Sequence, residues 1–106
     1  MLEYQFYKNE MGTPQFDIKG ELHVLNELGS CKREYLKEIV ASLYHILNGN
    51  LDQYDFGYEI YSIECRKDTS QVIDTFNGWQ SIAEIPTQEV YELMRDWQDY
   101  LELDTI

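Results

Sequence analysis

The first quarter of the chain alternates between apolar and polar residues, which is the pattern of half-buried β-strands. Residues 2 to 7 place an apolar side chain at every second position, and residues 16 to 24 do the same after a turn. Two strands joined in this way predict a β-hairpin. Gly20 falls at an apolar position of the second strand, which indicates a bulge or a close backbone approach. Residues 25 to 29 are open to a second interpretation, a short helical turn.

Two longer segments have the spacing of amphipathic helices. The first covers residues 31 to 48, takes Ser30 as its N-cap and stops at the Asn-Gly-Asn sequence around Gly49. The last helix begins with Thr87 as its N-cap, directly after a proline. Its predicted buried stripe consists of Val90, Leu93, Met94, Trp97 and Leu101.

The segment between the helices is rich in aromatic residues and predicts a three-stranded meander. In residues 52 to 66 the apolar positions change parity near Ile60, which fits either a bulge there or a central strand covered on both faces. Two further strands follow, at residues 71 to 76 and 79 to 85. The Asn-Gly sequence between them is a strong signal for a two-residue hairpin turn.

These elements run in the order ββαβββα and predict a single globular domain spanning residues 1–106. Sequential strands with short connections favour an antiparallel sheet, and two amphipathic helices need one face of a sheet to cover. We therefore expect an α+β fold, with a largely antiparallel sheet of about five strands and two amphipathic helices. A chain of 106 residues with 43% hydrophobic residues can bury a core of this kind.

Charge narrows the class of partner more than any motif does. Twenty acidic residues face eight basic ones, for a formal net charge of −12. A field of that sign repels nucleic-acid phosphates and anionic membranes and favours cationic partners, although acidity also serves solubility alone. The excess is uneven, because nine acids stand against one base from Asp68 onward. A cationic partner is therefore expected to meet the meander and the last helix rather than the first helix.

Cysteine usage and the N-terminal residues indicate a reducing compartment. Cys31 and Cys65 are too few for a disulfide scaffold, so we expect both thiols to be free. Residues 1 to 7 lack the regions of a signal peptide, and no apolar run has the length of a membrane span. We predict a cytoplasmic protein that does not bind a membrane; its oligomeric state is left open.

No constellation of residues predicts catalysis, a cofactor or a metal ion. His23 and His45 are far apart in sequence and lack metal-ligand spacing, which is typical of surface and helix-end histidines. Cys31 follows the predicted N-cap, where a thiol pKa can fall, but no orienting group or oxyanion site accompanies it. Cys65 has the apolar parity of a strand and predicts a buried small side chain. We therefore predict no enzyme activity and no catalytic, cofactor-binding or metal-binding residue.

The basic residues do not form a nucleic-acid-binding patch. Lys32, Arg33 and Lys37 cluster on the first helix, but they are interleaved with Glu34 and Glu38. That arrangement is ordinary pairing between helix residues three and four apart. Direct binding to DNA or RNA is not expected.

Acidic residues are interleaved with aromatic ones in two segments. Residues 50 to 64 contain four acids, no base and several aromatic residues, and the last helix repeats this mixture. Tyr and Trp offer rigid contact area with a polar tip, while carboxylates around them steer a cationic partner and pair with its Lys or Arg. The predicted partner-binding residues are Asp52, Tyr54, Asp55, Tyr58, Glu59, Tyr61, Glu92, Asp96 and Asp99.

The acidic-aromatic residues 52 to 59, the acidic last helix over residues 88 to 102 and the overall size resemble the small immunity proteins of bacterial toxin systems, including contact-dependent growth inhibition. The resemblance lies in the character of the whole chain rather than in a motif, so no family residue is carried over. It implies a cytosolic α+β inhibitor that binds a cognate toxin domain, commonly a nuclease, and covers its active site or blocks its substrate groove. The implied partner is therefore a cationic protein.

Three other functions remain open from the sequence. A nucleic-acid mimic, such as a phage counter-defence protein, would share the negative field and would carry carboxylates at phosphate-like spacing. A regulatory or scaffold module would bind a partner other than a nuclease. A small enzyme would need a site assembled from scattered residues, with His23 or His45 beside a carboxylate of perturbed pKa.

Overall fold

The structure is a computed structural model that describes residues 2–57 and 59–104, apart from the side chains of Glu21 and Asp104. Two strands are followed by a 3-10 helix and a long α-helix, then by four strands and a second α-helix. In chain order these are β1 (Tyr4–Lys8), β2 (Pro14–Ile18), the 3-10 helix (Gly20–Ser30), α1 (Arg33–Leu47), β3 (Tyr54–Gly57), β4 (Tyr61–Cys65), β5 (Thr69–Asp74), β6 (Gln80–Pro86) and α2 (Thr87–Asp104).

The strands form two antiparallel sheets. Strands β1 and β2 pair as a separate hairpin, and β3, β4, β5 and β6 form a four-stranded meander in that order. The predicted α+β class and the first hairpin are confirmed. The described residues differ from the prediction in strand count, since they contain six strands in two sheets rather than about five in one.

The parity change near Ile60 is a turn between two strands. Strands β3 and β4 pair antiparallel with Phe56 opposite Ile63 and Gly57 opposite Ser62. The apolar positions change parity because the chain reverses direction, so residues from both sides of the turn face the same core. The predicted bulge and the predicted two-sided strand are both wrong at this position.

Strand β2 is shorter than the alternation predicted, because the chain enters a 3-10 helix at Gly20. Gly20 has φ of +80°, a conformation that glycine adopts without a steric penalty. From there Leu22, Leu25 and Leu28 recur every three residues, which matches the three residues per turn of a 3-10 helix. Leu25 and Leu28 are buried in the core. The prediction of a strand up to residue 24 is therefore wrong, and a helical segment takes its place.

Helix α1 begins later than predicted, and Ser30 is not its cap. Ser30 ends the 3-10 helix, and Lys32 at the N-cap position makes no side-chain cap hydrogen bond. The predicted stop is confirmed, since the backbone N–H groups of Gly49 and Asn50 donate to carbonyl oxygens of the last helical turn.

The connection between β5 and β6 is longer than the predicted two-residue turn. It spans residues 75 to 79, because β5 ends at Asp74 and β6 starts at Gln80. The pairing also shifts register: Val72 faces Ala83, but the next residue of β5 faces Ser81, so Ile82 is an extra residue on β6. A bulge of this kind increases local twist and re-aims side chains.

Helix α2 is anchored at its first residue. The Thr87 hydroxyl donates to the carbonyl oxygen of Arg66 and shares a 2.8 Å hydrogen bond with the Ser70 hydroxyl, while the Thr87 N–H donates to the carbonyl oxygen of Asp68 at 3.1 Å. Both hydroxyl-bearing residues are fully buried. Thr87, which was predicted to be an N-cap, thus fastens the helix to the β4–β5 turn.

One core joins the helices to a single face of the four-stranded sheet. The inward-facing strand residues are Phe56, Ile63, Cys65, Val72 and Ile85. The β1–β2 hairpin packs on α2, where Phe6 and Phe16 lie 5.4 and 5.0 Å from the Trp97 ring. Helix α2 therefore contacts both sheets, and the outward face of the four-stranded sheet lies away from this core.

Candidate partner-binding surface

The predicted residues on β3 divide between exposed acids and a half-buried tyrosine. Asp52 and Asp55 are exposed, and the Asp55 carboxylate accepts hydrogen bonds from the Gln53 amide at 3.1 and 3.2 Å. Tyr54 packs against the core and donates its hydroxyl to Glu38 Oε2 at 3.1 Å. Burial, and then this hydrogen bond, raises the pKa of Tyr54 above its ordinary value.

The predicted residues in the β3–β4 turn are held by a carboxylate from the 3-10 helix. Glu27 accepts backbone N–H groups from Glu59 at 3.2 Å, Ile60 at 3.1 Å and Tyr61 at 2.8 Å. The Glu59 side chain is exposed, while Tyr61 is half-buried against the core. Tyr58, the remaining predicted residue of this turn, lies outside the described residues.

A second element holds the same turn from the β5 side. Thr75 donates its hydroxyl at 2.7 Å and its N–H at 3.0 Å to the carbonyl oxygen of Ile60. Together, Glu27 and Thr75 provide partners for the backbone N–H groups of residues 59 to 61 and for the carbonyl oxygen of Ile60. Sequence reasoning missed Glu27, since nothing in its neighbours distinguishes it from the other nineteen acids.

The three predicted acids on α2 differ in exposure and in the hydrogen bonds that they already make within the chain. Asp96 accepts the Tyr4 hydroxyl at 2.7 Å and pairs with Arg95 at 3.1 Å. Burial, and then the hydrogen bond to Asp96, raises the pKa of the Tyr4 phenol. Glu92 is half-buried and accepts the Gln88 amide at 3.2 Å, whereas Asp99 is exposed. Asp96 therefore joins the hairpin to α2, and Asp99 is the most exposed of the three predicted α2 acids.

The structure does not gather the predicted residues into one surface. Strand β3 is one edge of the four-stranded sheet, and β6, which leads directly into α2, is the other edge. Helix α1 packs against both β3 and α2 and lies between them. The β3 group and the α2 group are thus separated by the width of the sheet and by a helix.

A groove between β1 and α2 contains part of the α2 group. It has a volume of about 380 Å³ and is lined by Leu2, Glu3, Tyr4, Glu89 and Glu92. The Leu2 N–H donates to Glu89 at 2.6 Å across it. The groove is acidic, because three of its five described lining residues are glutamates.

The outward face of the four-stranded sheet carries a row of polar residues that crosses all four strands. Asp55 pairs with Glu64, Glu64 with Gln71, and Gln71 with Glu84. Asp55 and Glu84 are exposed, and Glu64 is half-buried. Like charges directly opposite each other on a sheet destabilise the pairing, so the Asp55–Glu64 pair does not contribute to folding.

The β5–β6 hairpin, whose strands carry two members of this row, also has a group of exposed apolar side chains in and next to its loop. Phe76 is 79% exposed, Trp79 65% and Ile82 47%. Trp79 also has φ of +57°, which is unusual for a bulky residue. The sequence pattern predicted strands that end at Phe76 and begin at Trp79, with a two-residue turn between them, and neither aromatic residue was among the predicted partner-binding residues.

Among the described residues, the side chains that could ligate a metal are scattered and the two thiols are buried. No group of three or more His, Cys, Asp or Glu among them could hold a metal ion. Both cysteines are free, as predicted, and both are buried, although burial was predicted for Cys65 alone. Burial raises the pKa of Cys31, which is opposite to the lowering expected beside a helix N-terminus, and burial raises the pKa of Cys65 to about 11.

Comparison with known proteins provides no relative: no family model, no curated protein and no solved structure matches this chain. None of the helices in the described part of the chain combines the length and the apolar content needed to cross a bilayer.

Proposed function

We propose that this chain is an immunity-type inhibitor that binds and neutralises a cognate, basic, nuclease-like bacterial toxin domain in the cytoplasm. The observation that carries the proposal is the combination of exposed carboxylates on the four-stranded sheet and exposed aromatic side chains in its β5–β6 loop. Asp55 and Glu84 lie on the outward face, and Phe76 and Trp79 are exposed in the loop that joins β5 to β6. Aromatic anchors bordered by charge are typical of binding hot spots.

Electrostatics supports a cationic partner. A chain with a net charge of −12 attracts a basic domain over a distance of about one Debye length, roughly 8–10 Å at physiological salt. That attraction accelerates encounter and disfavours nucleic acid as a direct ligand. An inhibitor of this kind would compete with the nucleic-acid substrate of a nuclease for the same basic groove.

Nucleic-acid mimicry is the second candidate, and the carboxylate row is the observation that favours it. Neighbouring strands are about 4.8 Å apart, so Asp55 and Glu64 present two negative charges at short spacing. Gln71 then interrupts the row before Glu84. The interruption favours a dedicated inhibitor over a regular phosphate mimic.

The experiment that tests the proposal is co-expression with the toxin domain encoded next to this gene. We expect growth rescue and a complex on size-exclusion chromatography, with an association rate that falls as salt rises. Absence of both rescue and complex would contradict the proposal. Competition by DNA or RNA is expected for both candidates, so the range of partners distinguishes them: a mimic should also bind unrelated basic nucleic-acid-binding proteins, whereas a dedicated inhibitor should bind its cognate toxin domain alone.

A further inference from the structure

We infer that the outward face of the four-stranded sheet, together with the β5–β6 loop, is the docking surface, and that its occupant is a cationic protein segment that carries an apolar side chain. This inference rests on the proposed function, because it names the surface by which the chain would hold its partner. It differs from the sequence prediction, which centred on β3 and α2 and, of the acids in this row, included Asp55 alone.

The apolar part of the surface is concentrated in one place. Phe76, Trp79 and Ile82 come from the β5–β6 loop and the adjoining bulge. Ile73 on β5 shares the outward parity, lies outside the main core and is only 6% exposed, so the outward face also has a covered apolar side chain next to the bulge. Contiguous exposed apolar side chains rimmed by polar residues mark interaction sites.

The backbone conformation of Trp79, taken together with its exposure, supports a binding role. A bulky residue at φ of +57° is held in a conformation that costs free energy. An exposed indole offers little packing in return, since it is 65% accessible. A strained and exposed aromatic residue is better explained by contact with a partner than by folding.

Charge identifies the occupant. The four strands, within their bounds in the structure, contain no Lys, Arg or His, and their outward positions include Asp55, Glu64 and Glu84. A second copy of this chain would bring the same carboxylates face to face, which like-charge repulsion opposes. A segment with Lys or Arg complements the row, and an apolar side chain in that segment would contact Trp79.

The surface can be tested on the full chain with defined peptide probes. A short peptide of Lys-Lys-Leu repeats is titrated into the ¹⁵N-labelled protein, with Lys-Lys-Ser and Glu-Glu-Leu repeats as comparisons. We expect the Lys-Lys-Leu peptide to bind most tightly and to shift the Trp79 indole and the amides of Gln71, Ile82 and Glu84. Shifts centred on α2, or spread evenly over the acidic residues, would overturn the assignment.

Matched variants separate the apolar and charged contributions. Trp79→Asn tolerates positive φ and removes the aromatic ring, so it should weaken Lys-Lys-Leu binding by about tenfold and leave Lys-Lys-Ser binding nearly unchanged. Glu84→Lys should weaken both. Glu34→Lys and Glu10→Lys make the same charge change on exposed residues away from the sheet and should have smaller effects. Equal effects from Glu84→Lys and Glu34→Lys would overturn the assignment.

The toxin assay distinguishes failure of this surface from failure of the proposed function. Suppose that the unchanged chain rescues growth and that the double variant carrying Trp79→Asn and Glu84→Lys rescues equally well. The docking surface is then wrong and the function stands. If the unchanged chain neither rescues nor binds the toxin domain while the peptide maps to the sheet, the function is wrong and the surface stands.

Discussion

The two faces of the four-stranded sheet come from alternate residues of the same strands, yet they differ in burial, polarity and charge. The inward face presents apolar residues such as Ile63 and Val72, which are 1% and 0% exposed. The outward face presents Asp55, Glu64 and Glu84 across the strands. The inward face stabilises the fold by burying apolar side chains. The outward residues are not needed for that burial, so their side chains can be of the kinds that bind a partner.

The largest expected effect comes from the inward face. Ile63→Ala should lower the free energy of unfolding by about 2–5 kcal/mol, because it deletes buried methyl groups and leaves a cavity. Glu64→Ala, the next residue along β4 on the other face, should change it by no more than about 0.5 kcal/mol. Urea unfolding monitored by circular dichroism measures both. Similar losses at the two positions would mean that the outward face is also packed.

Burial of the Cys65 side chain on the inward face also predicts how the stability of the fold depends on pH. An unfolded thiol has a pKa of about 8.5, whereas burial raises the pKa of Cys65 to about 11. Between those values the unfolded state releases its proton and the folded state keeps it. The free energy of unfolding is therefore unaffected by this thiol below about pH 8.5 and falls by up to about 1.4 kcal/mol per pH unit as the pH rises towards 11.

Cys65→Ala is the matched variant for that measurement. Between about pH 8.5 and 10 it should remove much of the slope of unfolding free energy against pH, whatever its effect on absolute stability. Above about pH 10 the phenols of Tyr4 and Tyr54, whose pKa values are also raised, add a slope of their own. The smaller contribution of Cys31, whose pKa burial also raises, should remain. An unchanged slope in Cys65→Ala would show that the Cys65 thiol does not carry this pH dependence.

Loss of the Glu27 carboxylate is expected to have the next largest effect. Glu27→Ala should cost about 2 kcal/mol, because three backbone N–H groups lose a charged acceptor. Hydrogen exchange at residues 59 to 61 should accelerate. Glu27→Gln keeps an acceptor oxygen and should lose less, and Glu34→Ala, an exposed acid on α1, serves as the control. Equal stability of Glu27→Ala and Glu34→Ala would show that the Glu27 hydrogen bonds do not stabilise the fold.

The smallest expected effect is a gain of stability on the outward side. Trp79→Gly should raise the free energy of unfolding by about 0.5–1 kcal/mol, because it relieves the positive φ at an exposed position and the entropy cost of glycine offsets only part of this. The neighbouring Gly78→Ala should lower it by about 1 kcal/mol, since Gly78 has φ of +74°. Thermal unfolding of both variants measures these changes in the free energy of unfolding. A loss in Trp79→Gly would mean that the indole stabilises the fold.

The elements that follow local periodicity were predictable. Helix α1, helix α2 and the first hairpin appear close to their expected positions, because the burial of each depends on a repeat readable within a few residues. The β3–β4 turn was not predictable as such, because a parity change has the same local signature whether it marks a bulge, a two-sided strand or a reversal of the chain.

The candidate surface was harder to predict than the fold. Asp55 was selected and lies on the outward face, but Glu64 and Glu84 were not, because their alignment with Asp55 depends on strand register. Asp96 was selected as a partner contact, and the structure joins it to Tyr4 and Arg95. Its role as a partner contact stays a prediction.

By itself, the sequence determined the α+β class, the amphipathic helices, the acidic character and the free thiols of this protein. These properties depend on residue type and on short-range spacing. Only the tertiary structure decided which carboxylates are engaged within the fold, such as Glu27, and which lie open, such as Glu84. The physical reason is that every carboxylate has the same intrinsic chemistry, and its availability depends on which donors the distant parts of the chain bring within hydrogen-bonding distance.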